Sequence, residues 1–234
     1  MWLINSSVGR KVVMSVTGVA LILFLTFHGC MNIVALISEY GYNMICEFLG
    51  ANWYAVAGTV ALAALAVIHI VYAFTLTIQN RKARGDQRYA VTSRHEKVEW
   101  ASQNMLVLGL IVLLGILLHL WNFWFKMMFA ELSGCELGKY DPSDGFAYVR
   151  DTLSNPFFAI LYLIWIVAIW FHLSHGFWSA MQTLGWNGKV WFNRWKAIGI
   201  TYTTIIMLLF VVVVLAFLFG IAPSLGGCGL FCHI

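Results

Sequence analysis

Four histidines, His28, His69, His119 and His172, lie inside long apolar runs of this chain, one to a run. An ionisable side chain in hydrocarbon is costly and marks a functional site by default. A fifth apolar run carries no such residue. Imidazole is a good ligand for haem iron, and two of them on one iron leave no open position, which favours electron transfer over oxygen or substrate chemistry. Four histidines thus have the count needed for two irons with two axial ligands each. For any single one of them, the ordinary alternative is an interhelical hydrogen bond.

The elements that must position these side chains follow from composition. The 234 residues are 61% hydrophobic and 10% charged, with a mean hydropathy of +0.81. A soluble chain of this size would carry roughly 25% charged residues. With too little polar surface to coat a water-soluble globule, residues 1–234 read as one membrane domain. A span needs about 20 apolar residues, and the runs 12–37, 53–78, 101–125, 156–181 and 197–221 qualify. Unpaired backbone groups cannot face lipid, so the spans must be helical. The expected fold is an all-α membrane protein, a bundle of five transmembrane helices. Arg10 and Lys11 precede the first run, but that run is longer than the apolar core of a secretory signal, and no cleavage site follows it.

Charge bias orients the bundle. Arg10, Lys11, Arg81, Lys82, Arg84, Arg88, Arg94, Lys97, Lys189, Arg194 and Lys196 fall on one side. The other side has Lys126, Lys139 and Arg150 against Glu39, Glu47, Glu131, Glu136, Asp141, Asp144 and Asp151. The N-terminus is expected inside and the C-terminus outside. Segments 38–52, 79–100, 126–155 and 182–196 are expected as loops, with Trp53, Trp100, Trp124, Trp186, Trp191 and Trp195 in an interfacial belt.

Depth then follows from a rise of about 1.5 Å per residue. His28 and His119 lie about 24 and 27 Å from the inner starts of their spans, near the outer surface of a core roughly 30 Å thick. His69 and His172, on spans of opposite direction, lie about 24 Å from their outer starts, near the inner surface. The four sort into an outer pair, His28 with His119, and an inner pair, His69 with His172, each joining two parallel helices. Two haems stacked across the bilayer require this arrangement. Gly18, Gly29, Gly58, Gly109, Gly115 and Gly176 would let a macrocycle approach the backbone, and serve equally as helix-packing residues. His175 shares a helix face with His172 and competes with it as a ligand, but His69 is expected at the depth of His172, which favours a hydrogen-bonding role for His175 near the inner site. His95 and His233 read as solvated. The run Cys228-Gly229-Leu230-Phe231-Cys232-His233 resembles a c-type haem attachment site with one residue too many, so a disulfide or two idle thiols is expected there.

The segment Phe171-His172-Leu173-Ser174-His175-Gly176-Phe177-Trp178-Ser179, the segment Lys11-Val12-Val13-Met14-Ser15-Val16-Thr17-Gly18 leading to Phe27-His28, and the four-histidine spacing resemble a known family. It is the two-haem cytochrome b anchor of succinate:quinone oxidoreductases, the five-helix subunit of bacterial succinate dehydrogenases and fumarate reductases. The resemblance runs over essentially the whole chain. It implies two haem b groups, a proximal (inner) one on His69 and His172 and a distal (outer) one on His28 and His119. It also implies flavoprotein and iron–sulfur partner subunits on the cytoplasmic face, a location in the bacterial cytoplasmic membrane, and a dimer of the whole complex as one possible assembly. Electrons would pass between the iron–sulfur clusters and menaquinone or menaquinol near the outer haem.

In related fumarate reductases a glutamate at the outer start of the second helix serves the quinone site. Here Glu47 or Glu39 lies in the matching loop, with Glu47 preferred as the proton-transfer group. Some two-haem members also carry a glutamate two residues before the fourth ligand, where this chain has Trp170, so that proton route is not expected. No nucleophilic triad, phosphate loop or dehydrogenase fingerprint appears, so dicarboxylate chemistry would belong to another subunit, and nothing points to nucleic acid. The basic inner loops could dock the hydrophilic subunits as well as set topology. Two rivals remain: a cytochrome b subunit of another quinone-linked oxidoreductase such as a hydrogenase or formate dehydrogenase, and a haem-free transporter using its histidines as a proton relay.

Overall fold

In the computed structural model, residues 6–84 and 100–223 are described, and their regular structure is entirely helical. Helix α1 (Ser7–Ile33) starts at Ser6, whose hydroxyl accepts from the Gly9 N–H at 2.9 Å, satisfying one of the donors a helix start leaves free. It ends in a tighter turn, Val34–Leu36. Then come α2 (Glu39–Phe48), α3 (Trp53–Arg84), a single turn at Trp100–Gln103, and α4 (Met105–His119). Helix α4 continues as a π-helical stretch, Leu120–Phe129, and a last α turn, Ala130–Ser133. Helices α5 (Gly145–Leu153), α6 (Pro156–Thr183) and α7 (Trp191–Leu218) complete the chain.

Among the described residues, five helices are long and apolar enough to cross a membrane: Ser7–Leu36, Trp53–Ala83, Met105–Ser133, Pro156–Thr183 and Trp191–Leu218. Most outrun the expected spans because hydropathy marks only the hydrocarbon-facing part, whereas backbone hydrogen bonding continues into the headgroup zone. Thirty residues of helix measure about 45 Å, against a hydrocarbon core of roughly 30 Å. The third span shifts most, to Met105–Ser133. His119 therefore sits near the middle of its helix rather than close to one end. Trp124 falls well inside the same span with its indole nitrogen buried, so it is not part of an interfacial belt. Trp53, Trp100, Trp186 and Trp191 are exposed near span ends as expected.

Two segments expected as loops each contain a helix. In 38–52, Ser38 caps α2 by accepting from the Gly41 N–H. In 126–155, Asp144 caps α5 by accepting from the Ala147 N–H. Asn43 locks the two together, donating to Asp144 Oδ1 at 2.9 Å and accepting from the Phe146 N–H at 2.8 Å. These helices are short and mix polar with apolar residues, so an average over hydropathy misses them. They close one end of the bundle over a packed core in which Ala35, Phe146 and Ala159 are fully buried, with Tyr42, Leu153, Tyr162 and Phe217 around them.

Helix α1 packs against α3, α6 and α7; α6 packs against α4 and, most extensively, α7. Neither α1 with α4 nor α3 with α6 is among the principal helix contacts. Helix α3 stands at the edge, and none of the residues in its most apolar stretch is buried within the protein.

Candidate functional site

Among the described residues, histidine rings meet as the two expected pairs. His28 and His119 have ring centroids 5.7 Å apart at an interplanar angle of 89°, and His69 and His172 are 6.4 Å apart at 69°. Each pair is contributed by two helices that are not principal neighbours, α1 with α4 and α3 with α6, so the side chains reach across the bundle rather than along a seam.

The surroundings differ. The outer-assigned pair sits in an aromatic cage: Phe24 stacks on His28 at 5.5 Å and Phe210 lies at 5.8 Å, while Phe123, Trp165 and Tyr162 lie 5.0, 5.7 and 6.2 Å from His119. Trp165 is seated by donating its indole N–H to the Val112 carbonyl at 3.0 Å. The inner-assigned rings lie against glycines of neighbouring helices. A Cβ on Gly18 of α1 would meet His69 Cε1 at 3.3 Å, and one on Gly109 of α4 would meet His172 Cε1 at 3.7 Å. Of the glycines singled out from sequence, these two adjoin a histidine; Gly29 meets Phe210, Gly115 meets Trp165, and Gly58 and Gly176 face open space.

Hydrogen bonding is sparse around the rings. The Nδ1 atoms of His119 and His172 are buried without a partner among the described residues. A buried imidazole nitrogen left unpaired is costly. On His69, Nδ1 lies 3.1 Å from Thr17 Oγ1. His28 Nε2 has a long 3.4 Å contact to Asn32 Nδ2, whose firmer bond goes to the His28 carbonyl at 2.8 Å.

These features suit a metal held from two sides. A metal-bound imidazole nitrogen lies about 2 Å from its metal, so two rings flanking one iron have centroids roughly 6 Å apart. The observed separations bracket that value. No cluster of three or more histidine, cysteine or acidic side chains suited to a free metal ion occurs among the described residues; paired axial ligation needs only two.

The remaining candidates lie elsewhere. His175 is edge-on to Trp178 at 4.8 Å, on α6 near His172. Glu47 is exposed on α2, in a cleft of about 290 Å³ with Tyr40, Asn43, Met44, Ser143 and Asp144. No hydrogen bond among the described residues joins its carboxylate to a histidine. Glu39 is half-buried, and burial pushes its carboxyl up while Arg150 opposes the shift. Trp170 donates to Thr204 Oγ1 at 2.9 Å, tying α6 to α7. His95, His233, Cys228 and Cys232 lie outside the described residues.

Sequence reasoning missed the route from α2 to His28. Tyr42 donates to Asn32 Oδ1 at 3.2 Å, and Asn32 bonds back to the His28 carbonyl. It also missed Asn122, buried in the π-helical stretch and donating to Tyr162 at 3.3 Å beside His119. The available signal was two asparagines, each within four residues of an intramembrane histidine.

Comparison of the chain with protein-family models, curated proteins and solved structures gives no match.

Proposed function

We propose that this protein is a dihaem cytochrome b, the membrane anchor of a succinate:quinone oxidoreductase. It would pass electrons between menaquinone or menaquinol near its outer pair and an iron–sulfur subunit at its cytoplasmic face, with a flavoprotein subunit performing the dicarboxylate chemistry. The observation that carries the reading is the meeting of four intramembrane histidines as two cross-bundle pairs at ring separations of 5.7 and 6.4 Å. A haem bound at each pair supplies one-electron redox chemistry with both axial positions filled.

The chain's own residues do the rest. His28 and His119 would hold the outer group and His69 and His172 the inner one. Phe24, Phe123, Trp165 and Phe210 keep water from the outer site. A quinone site also needs a proton carrier, and Glu47, on the α2 helix that closes the outer-assigned end, is the carboxylate assigned to it. The basic end, with Arg10, Lys11, Arg81, Lys82, Lys189, Arg194 and Lys196, would face the cytoplasm and the partner subunits.

Redox difference spectra of purified protein test the proposal. Two low-spin b-type signals are expected, with His69→Ala losing one and His119→Ala the other. Absence of any b-type signal would favour the proton-relay transporter and overturn the proposal. Co-purification with a hydrogenase or formate dehydrogenase catalytic subunit, in place of flavin and iron–sulfur partners, would reassign the complex while keeping the haems.

A further inference from the structure

Resting on that haem reading, we infer that Thr17 is the positioning residue for His69: it sets the ring's tautomer and tunes the inner site apart from the outer one. Thr17 lies on α1, buried to 4% exposure. Its hydroxyl has a single proton, and two backbone carbonyls of its own helix compete for it, Val13 at 2.9 Å and Met14 at 3.1 Å. With the proton directed there, the oxygen presents a lone pair to His69 Nδ1 at 3.1 Å. The ring must donate.

The proton therefore resides on Nδ1, and the lone pair on Nε2 is left for a metal. Gly18, the next residue, completes the seat. A Cβ there would stand 3.3 Å from His69 Cε1, so the smallest residue lets the ring rest on α1. No other histidine of the set has this support: Nδ1 of His119 and of His172 is unpartnered among the described residues, and His28 has only the long Asn32 contact from its own helix. The seat also matters because α3 has α1 as its principal neighbour, so Thr17 aligns the otherwise loosely packed helix that supplies His69.

A hydrogen bond accepted from the non-ligating N–H fixes ring orientation and raises ligand basicity, and loss of such partners typically weakens metal sites about 10–100-fold. A more basic ligand favours ferric over ferrous iron. Losing the bond should therefore raise the midpoint potential at the His69/His172 pair, by about 59 mV for each tenfold change in the one-electron equilibrium.

The test is redox potentiometry with optical and electron paramagnetic resonance detection on the purified full-length protein, comparing wild type, Thr17→Val, Thr17→Ala and Thr17→Ser. The signal that His69→Ala removes should shift upward and change its low-spin resonance in Thr17→Val and Thr17→Ala. It should return to the wild-type position in Thr17→Ser, while the other signal stays in place throughout. Two bound haems with neither signal moved in the Val and Ala variants would overturn the inference and leave the haem reading intact. A Ser variant shifted as far as the Val variant would do the same, because packing rather than the hydroxyl would be responsible. A wild-type protein without haem would remove both.

Discussion

Replacing Gly115 by alanine offers a sharp test of how α4 and α6 are held at the outer-assigned pair. A Cβ built on Gly115 falls 2.1 Å from Cδ1 and Nε1 of Trp165 and 2.4 Å from its Cε2. Ordinary carbon contacts begin near 3.5 Å, so the ring or the helix must retreat by roughly 1.4 Å. Trp165 has little freedom to do so, because its indole N–H is bonded to Val112 one turn before Gly115 and its ring packs against His119 and Tyr162. Overpacking of this kind costs about 1–3 kcal/mol, and losing the indole bond adds about 0.6 kcal/mol at membrane values. Alanine's better helix propensity returns up to about 1 kcal/mol, leaving a net loss of about 1–3 kcal/mol. Thermal unfolding in detergent of Gly115→Ala, Trp165→Ala and the double variant measures it. With the ring removed, Gly115→Ala should become neutral or mildly stabilising. An equal penalty in both backgrounds, or none in the wild-type background, would refute the contact as the cause.

Other expectations follow from the same structure. Asn43→Ala leaves the Phe146 N–H without its acceptor and takes from Asp144 Oδ1 one of its two donors, the Ala147 N–H remaining, so unfolding stability should fall by about 1–3 kcal/mol and proteolysis near α5 should quicken. Burial pushes the Cys46 thiol up to about 11, leaving roughly one molecule in a thousand as thiolate at pH 8. A thiol reagent added to folded protein should modify exposed Cys135 and spare Cys46 until the protein unfolds. The same shift makes Cys46 hold its proton in the folded state above the unfolded value of about 8.5. Its contribution to stability is complete below that pH and lost as pH rises toward 11, which a Cys46→Ser comparison of unfolding at pH 7 and pH 10 would detect. Gly18→Ala should be tolerated with a small movement of the His69 ring, since its Cβ would stand 3.3 Å away, whereas Gly18→Leu should abolish one of the two b-type signals that the proposed function calls for in difference spectra.

The amino-acid sequence alone carried the number of spanning helices, their helical character and the assignment of histidines to two pairs. Each is dictated by something local: the length of an apolar run, the impossibility of unpaired backbone in lipid, and the alternation of direction from one span to the next. Depth counted along the chain paired His28 with His119 and His69 with His172, and the ring contacts join the same partners. The absolute depth of His119 was not legible, because its helix extends to Ser133 through a π-helical stretch that hydropathy does not register.

Tertiary structure alone decided what surrounds each ring. Thr17 and His69 are 52 residues apart and meet only because α3 packs on α1. Asn43 finds Asp144 across 101 residues, turning two expected loops into a clasped pair of helices. Trp165 chooses Gly115 because the α4–α6 crossing leaves no room there for a side chain. Hydropathy reports each residue's preference for lipid or water; which residues share a contact depends on helix rotation and crossing, which are set by the summed fit of all the packed faces.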